Sequence, residues 1–73
     1  MIMSGTKDAT LRAIRLLDIH GTRFYDIEYT HEDLPGQVRS ARVGFESAYD
    51  DPRPGDRIRV SYLMNVVTGL ARR

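Results

Sequence analysis

The spacing of apolar side chains is the most informative feature of this chain. Residues 23–30 (RFYDIEYT) put Tyr25, Ile27 and Tyr29 on one side and Phe24, Asp26, Glu28 and Thr30 on the other, the period-two pattern of a half-buried strand. Residues 57–63 (RIRVSYL) repeat it, with Ile58, Val60 and Tyr62 inward and Arg57, Arg59 and Ser61 outward. Residues 38–45 place Ala41, Val43 and Phe45 on one face, and residues 66–71 supply a last strand. Residues 10–20 (TLRAIRLLDIH) fit neither period cleanly. On a helical wheel their apolar side chains spread around the whole circle, and as a strand the alternation slips once. A single bulge near Ala13 and Ile14 restores one buried face, so the segment reads as a strand; a helix capped by Asp8 and Gly21 is the alternative.

The segments between these runs carry turn chemistry. His20-Gly21-Thr22 is short enough for a hairpin in which Gly supplies a positive φ. Pro35-Gly36 fits the central positions of a type II turn, and Met64-Asn65 makes a tight connection because Asn tolerates the left-handed region. Residues 46–56 (ESAYDDPRPGD) read as a loop with one helical turn at 46–49. Residues 1–9 show no period and read as a flexible N-terminus, leaving residues 10–73 as a single small domain. Five short strands without helices to cover a flat sheet predict an all-β fold. Its economical form is a small five-stranded antiparallel barrel, OB-like or SH3-like, since closure buries one face and removes the sheet edges.

Composition narrows the function classes. With 73 residues the chain makes one domain, and a fold of this size buries only about 60% of the surface exposed by its unfolded chain. It has no cysteine, so disulfides contribute nothing and a cytoplasmic location is expected. A net charge of +1 creates no global field that would select nucleic acid, a membrane or an acidic partner. The apolar runs are too short for a membrane-spanning helix, and the polar residues directly after Met3 leave no room for a signal-peptide core. Every basic residue except Lys7 is Arg, which suits anion recognition by planar donors and equally reflects a GC-rich genome.

Catalytic chemistry has little to build on, and no enzyme activity, metal or cofactor is expected. The serines lack the Gly-x-Ser-x-Gly setting of an activated nucleophile, and Gly5-Thr6-Lys7 lacks the upstream glycine of a phosphate loop. His20 and His31 flank one strand at roughly 30 Å, too far to share a metal. His31-Glu32-Asp33 has no metal-ligand spacing and reads as a solvated turn. Asp50, Asp51 and Asp56 lie among Pro and Gly, where Asp usually satisfies turn backbone.

A surface is what this sequence offers. Phe24, Arg39, Arg57 and Arg59 fall on outward faces, and basic side chains interleaved with an aromatic are how OB barrels hold single-stranded nucleic acid. Asp26 and Glu28 share that wall, so a ladder of cross-strand ion pairs is the competing expectation. If exposed together near the 46–56 loop, Phe45 and Tyr49 would form an apolar patch for a protein partner or a second copy. Tyr25, Tyr29 and Tyr62 share faces with aliphatic residues and are expected in the core or at its rim. The C-terminal Arg72-Arg73 reads as a solvated tail.

Two resemblances bear on this reading. Gly55-Asp56-Arg57-Ile58-Arg59-Val60, a short turn and a strand ending in Arg72-Arg73 resemble the end of bacterial translation initiation factor one. That resemblance implies an OB barrel acting at the small ribosomal subunit. The first strand, the Gly turn, Tyr25-x-Ile27-x-Tyr29, Pro54-Gly55-Asp56 and Val60-x-Tyr62 are similar to a small all-β bacterial domain of unknown function, which implies a fold and no site. The leading expectation is a non-enzymatic module that binds a protein or itself; the alternative is an OB-type binder of single-stranded RNA or DNA.

Overall fold

The computed structural model describes residues 4–73. Five strands form one antiparallel sheet: β1 (Ser4–Ile19), β2 (Thr22–His31), β3 (Val38–Gly44), β4 (Arg57–Leu63) and β5 (Val66–Arg72). A single 3-10 turn, Phe45–Ser47, follows β3. The spatial order is β3-β2-β1-β4-β5. Three hairpin-linked strands and a fourth that returns beside the first constitute a Greek key.

β1 holds this arrangement together because it is long enough to serve two neighbours. Ser4 to Thr10 pair with β4, and Ala9 to Ile19 pair with β2. The register slips between Leu11 and Ala13, so Arg12 is the extra residue of a bulge. The bulge moves the inward face from Ala9 and Leu11 to Ile14, as the slip in the sequence requires. Its exposed ladder groups are satisfied by the end of the long loop. Leu11 N–H donates to the Asp56 carbonyl at 2.9 Å, and Gly55 N–H donates to the Leu11 carbonyl at 2.7 Å. Gly55 adopts a φ of +94° at this contact, a conformation that disfavours other residues.

The inward residues of all five strands form one core: Leu11, Ile27, Tyr29, Val43, Ile58, Val60, Tyr62 and Leu70, with Ala9 among them. Ala48 and Tyr49 pack against it from the loop. Gly69 lies beside a second register slip, in β5, and a Cβ placed there would meet the Ser47 carbonyl oxygen at 3.1 Å. This close approach lets the helical turn sit against the sheet.

Four expectations are corrected. The first strand begins at Ser4 instead of residue 10, because residues 4–10 pair through backbone bonds with β4, which need no apolar pattern; residues 1–3 of the expected flexible start lie outside the described residues. The turn at Pro35-Gly36 is hydrogen bonded, Gln37 N–H to the Leu34 carbonyl at 3.1 Å, but Gly36 lacks the positive φ of a type II turn. His31 is buried, at 1% exposure, because it ends β2 on the inward face. Finally, the sheet is not closed. β3 and β5 are its edges, and no ladder joins them among the described residues. The sheet curls enough that one groove is lined from both edges.

Candidate functional site

The six residues singled out by the sequence do not converge on one surface. Phe24 is half-buried near the β1–β2 hairpin, opposite Leu17 and Gly44. Arg57 and Arg59 stand on β4, opposite Thr10 and Asp8 at the other end of β1. Leu17 and Asp8 are separated by ~30 Å of strand at the usual rise. Arg59 Nε donates to Asp8 Oδ1 at 3.1 Å, so its charge is already paired. Arg57 is exposed and has no ion pair among the described residues.

Arg39 is not on the outer wall at all. It lies directly opposite Tyr29, and directly opposed residues of neighbouring strands share a face. Tyr29 is 2% exposed and belongs to the core, so Arg39 faces inward. The odd-numbered positions of β3 carried this signal, because Arg39 shares parity with Ala41 and Val43. A charged side chain on the apolar face was the departure from pattern.

Phe45 and Tyr49 are likewise occupied within the chain. Phe45 stacks on Tyr25 with ring centroids 5.4 Å apart, and the Arg23 guanidinium sits 4.1 Å from the Phe45 centroid. The Tyr49 hydroxyl donates to Asp56 Oδ2 at 2.7 Å, while Arg72 covers its ring at 4.9 Å. Both are half-buried and no joint apolar patch forms. The large apolar side chains left exposed are elsewhere, among them Val38 at 62%, Leu63 at 58%, Met64 at 71% and Val66 at 62%. They cluster in sequence at the start of β3 and around the β4–β5 turn.

The charged wall neutralises itself. On the outer face of β1, β2 and β3, Arg42 Nε donates to Asp26 Oδ1 at 2.8 Å and Arg15 approaches the same carboxylate at 3.6 Å. The Arg42 hydrogen bond is the main reason the Asp26 carboxyl titrates below the usual range. A groove of ≈ 600 Å³ lies on this wall, with Arg15, Asp26, Glu28 and Arg42 in its lining. Lys7 pairs with Asp33 at 2.6 Å, and Arg73 pairs with Glu32 at 2.7 Å and Asp8 at 3.4 Å. Arg73 also donates to the Ala9 carbonyl at 3.0 Å, so the expected solvated tail is instead a clamp across β1 and the end of β2.

A buried polar cluster escaped the sequence reading. The Tyr29 and Tyr62 hydroxyls share a hydrogen bond of 2.7 Å, and His31 Nε2 lies 2.7 Å from the Tyr62 hydroxyl. All three residues are at most 6% exposed. Burial, followed by the hydrogen bond to Tyr62, raises the Tyr29 phenol well above its ordinary range. Burial first, then the charges of Arg39 and Lys7, lowers the His31 pKa, so the ring is neutral near pH 7. Arg39 completes the cluster, and its Nε is buried without a hydrogen-bond partner. Compared with protein-family models, curated proteins and solved structures, the chain matches none.

Proposed function

We propose that this chain is a non-enzymatic, OB-like small β-barrel module that associates through protein surface, first of all with a second copy of itself. The supporting observation is the contrast between its two kinds of surface. Its charges are largely consumed in intramolecular pairs, whereas Val38, Leu63, Met64 and Val66 stay exposed beside the two unpaired edge strands. Unpaired strand edges with apolar flanks are templates for pairing with another chain. A Greek key in a five-stranded curled sheet is compatible with a partly open barrel of the OB type. A cytoplasmic setting belongs to the same proposal and draws on the lack of cysteine; a bacterial origin draws only on the resemblance to a small all-β bacterial domain.

Sedimentation over a concentration series tests the reading. A mass that rises from one to two chains in the micromolar range, and is returned to one by Val66→Lys, supports it. A strictly monomeric protein at the highest concentration overturns it. The alternative, binding of single-stranded nucleic acid, draws on the exposed and unpaired Arg57. It is opposed by Asp26 and Glu28 on the strand-two wall, where phosphate would be repelled. Oligonucleotide binding that weakens steeply with salt would favour it.

A further inference from the structure

The groove between β3 and β5, ≈ 330 Å³, differs in chemistry from the larger groove on the outer wall. No carboxylate lines it. Its walls include Tyr29 and Tyr62 from the core, Arg39 from β3, Asn65 from the β4–β5 turn and Val66 from the start of β5. Arg39 makes no ion pair among the described residues, and its Nε is enclosed without an acceptor. A buried donor without an acceptor is a cost in the empty site that an incoming oxygen removes. The edge strands add backbone N–H groups that no neighbouring strand uses, and sheet edges of this kind form anion-binding concavities.

The hydroxyl chain can supply one more donor. When His31 carries its proton on Nε2 and donates to the Tyr62 oxygen, Tyr62 donates to Tyr29, and the Tyr29 proton is left for another acceptor. Guanidinium, phenol, amide and backbone donors together exceed what the two oxygens of a carboxylate would use. They suit an anion with several oxygens.

We propose that this groove is a phosphate-binding site in which Arg39 is the principal donor, with the Tyr29–Tyr62 pair and Asn65 supporting it. The phosphate is either a free ion or one carried by a nucleic-acid strand, and the chemistry of recognition is the same. The groove shares Val66 and the β3 and β5 edges with the self-association surface, so a second copy and phosphate would compete there. The two are told apart because one is read by mass and the other by ligand titration.

Nuclear magnetic resonance titration of the intact protein tests it, with inorganic phosphate in one arm and a short oligothymidylate in the other. The expected result is a saturable shift of the Arg39 Nε–H and of β3 edge amides, with a midpoint on the order of 1 mM or tighter. An oligothymidylate midpoint more than tenfold below that of phosphate assigns the source to a strand; comparable midpoints assign it to the free ion. Both outcomes support the site. Arg39→Lys keeps the charge and loses the planar fork, and Arg39→Gln removes both. Weakening of about tenfold or more in the Gln variant, with Lys between, is expected for a charge-assisted contact. Absence of saturable shifts in the wild-type protein overturns the proposal, whatever the variants do. So does unchanged affinity in a folded Arg39→Gln protein.

Discussion

Tyr62 and His31 are joined by a 2.7 Å contact between the phenol hydroxyl and Nε2, linking β4 to the last residue of β2 inside the core. These strands are not neighbours in the sheet, since β1 lies between them. The contact therefore ties the curled sheet across its interior. Tyr62 also serves Tyr29, so one hydroxyl satisfies two buried groups. Tyr62→Phe removes it while keeping the ring, leaving both groups unpaired. A loss of about 1–3 kcal/mol in urea unfolding is expected, with little change in denaturant slope.

The buried position of His31 makes stability depend on pH in a definite direction. Burial lowers the folded-state pKa of His31 below its ordinary 6.5, with Arg39 and Lys7 adding repulsion and Asp33 partly opposing them. The Tyr29 and Tyr62 rings pack against the imidazole, with centroids 5.7 and 5.9 Å away. The unfolded chain then binds the extra proton first as pH falls. The stability from this group is complete above 6.5 and declines below it until the folded-state pKa is passed. Thermal unfolding at a series of pH values should show this decline, and His31→Gln should flatten it. A melting temperature constant from neutral pH to just below 6 would contradict the argument.

A second loss is expected in stronger acid. Asp26, Asp33 and Asp56 have carboxyls lowered from 3.8, and Glu32 from 4.5, chiefly through hydrogen bonds from Arg42, Lys7, Tyr49 and Thr10 respectively. Their contributions are present above those ordinary values and are lost as pH falls through the folded-state ones. High salt should shrink this step more than the His31 step, because the carboxylates are near solvent and the imidazole is buried. Acid titration at two ionic strengths separates the two.

Arg73 gives a third expectation. Its guanidinium binds the Ala9 carbonyl and pairs with Glu32 and Asp8, and its own N–H donates to the Arg57 carbonyl at 3.1 Å. The side chain is only 19% exposed, unlike that of Arg72 at 58%. Arg73→Ala should cost about 1–2 kcal/mol, whereas Arg15→Ala, on a 3.6 Å pair at 73% exposure, should cost little. Chemical denaturation of the two variants side by side checks the ranking.

Gly69 offers a test of the packing between loop and sheet. A methyl group there would press on the Ser47 carbonyl at 3.1 Å, a backbone atom that cannot rotate away. Gly69→Ala should destabilise by about 1–3 kcal/mol. Gly36→Ala, where a Cβ meets nothing within 4 Å and φ is not positive, should be close to neutral.

Strand identity was legible in the sequence because alternation with period two is a local property. Ile58, Val60 and Tyr62 needed only each other to declare a buried face, and the slip between Leu11 and Ile14 announced a bulge in β1. That all five strands are antiparallel followed from the short turns between most of them. What the sequence alone did not reveal depends on which residues meet across distance. Pairing of residues 4–10 with β4 is made by backbone groups that every sequence shares, so no side-chain pattern marks it. Whether β3 and β5 join is set by the accumulated twist and curl of five strands, and the sheet stays open. Parity with Tyr29 and with Ala41 and Val43 marked the inward side for His31 and Arg39, but the enclosure of the imidazole and of the Arg39 Nε is made by strands that meet across distance, against the preference of both side chains for water.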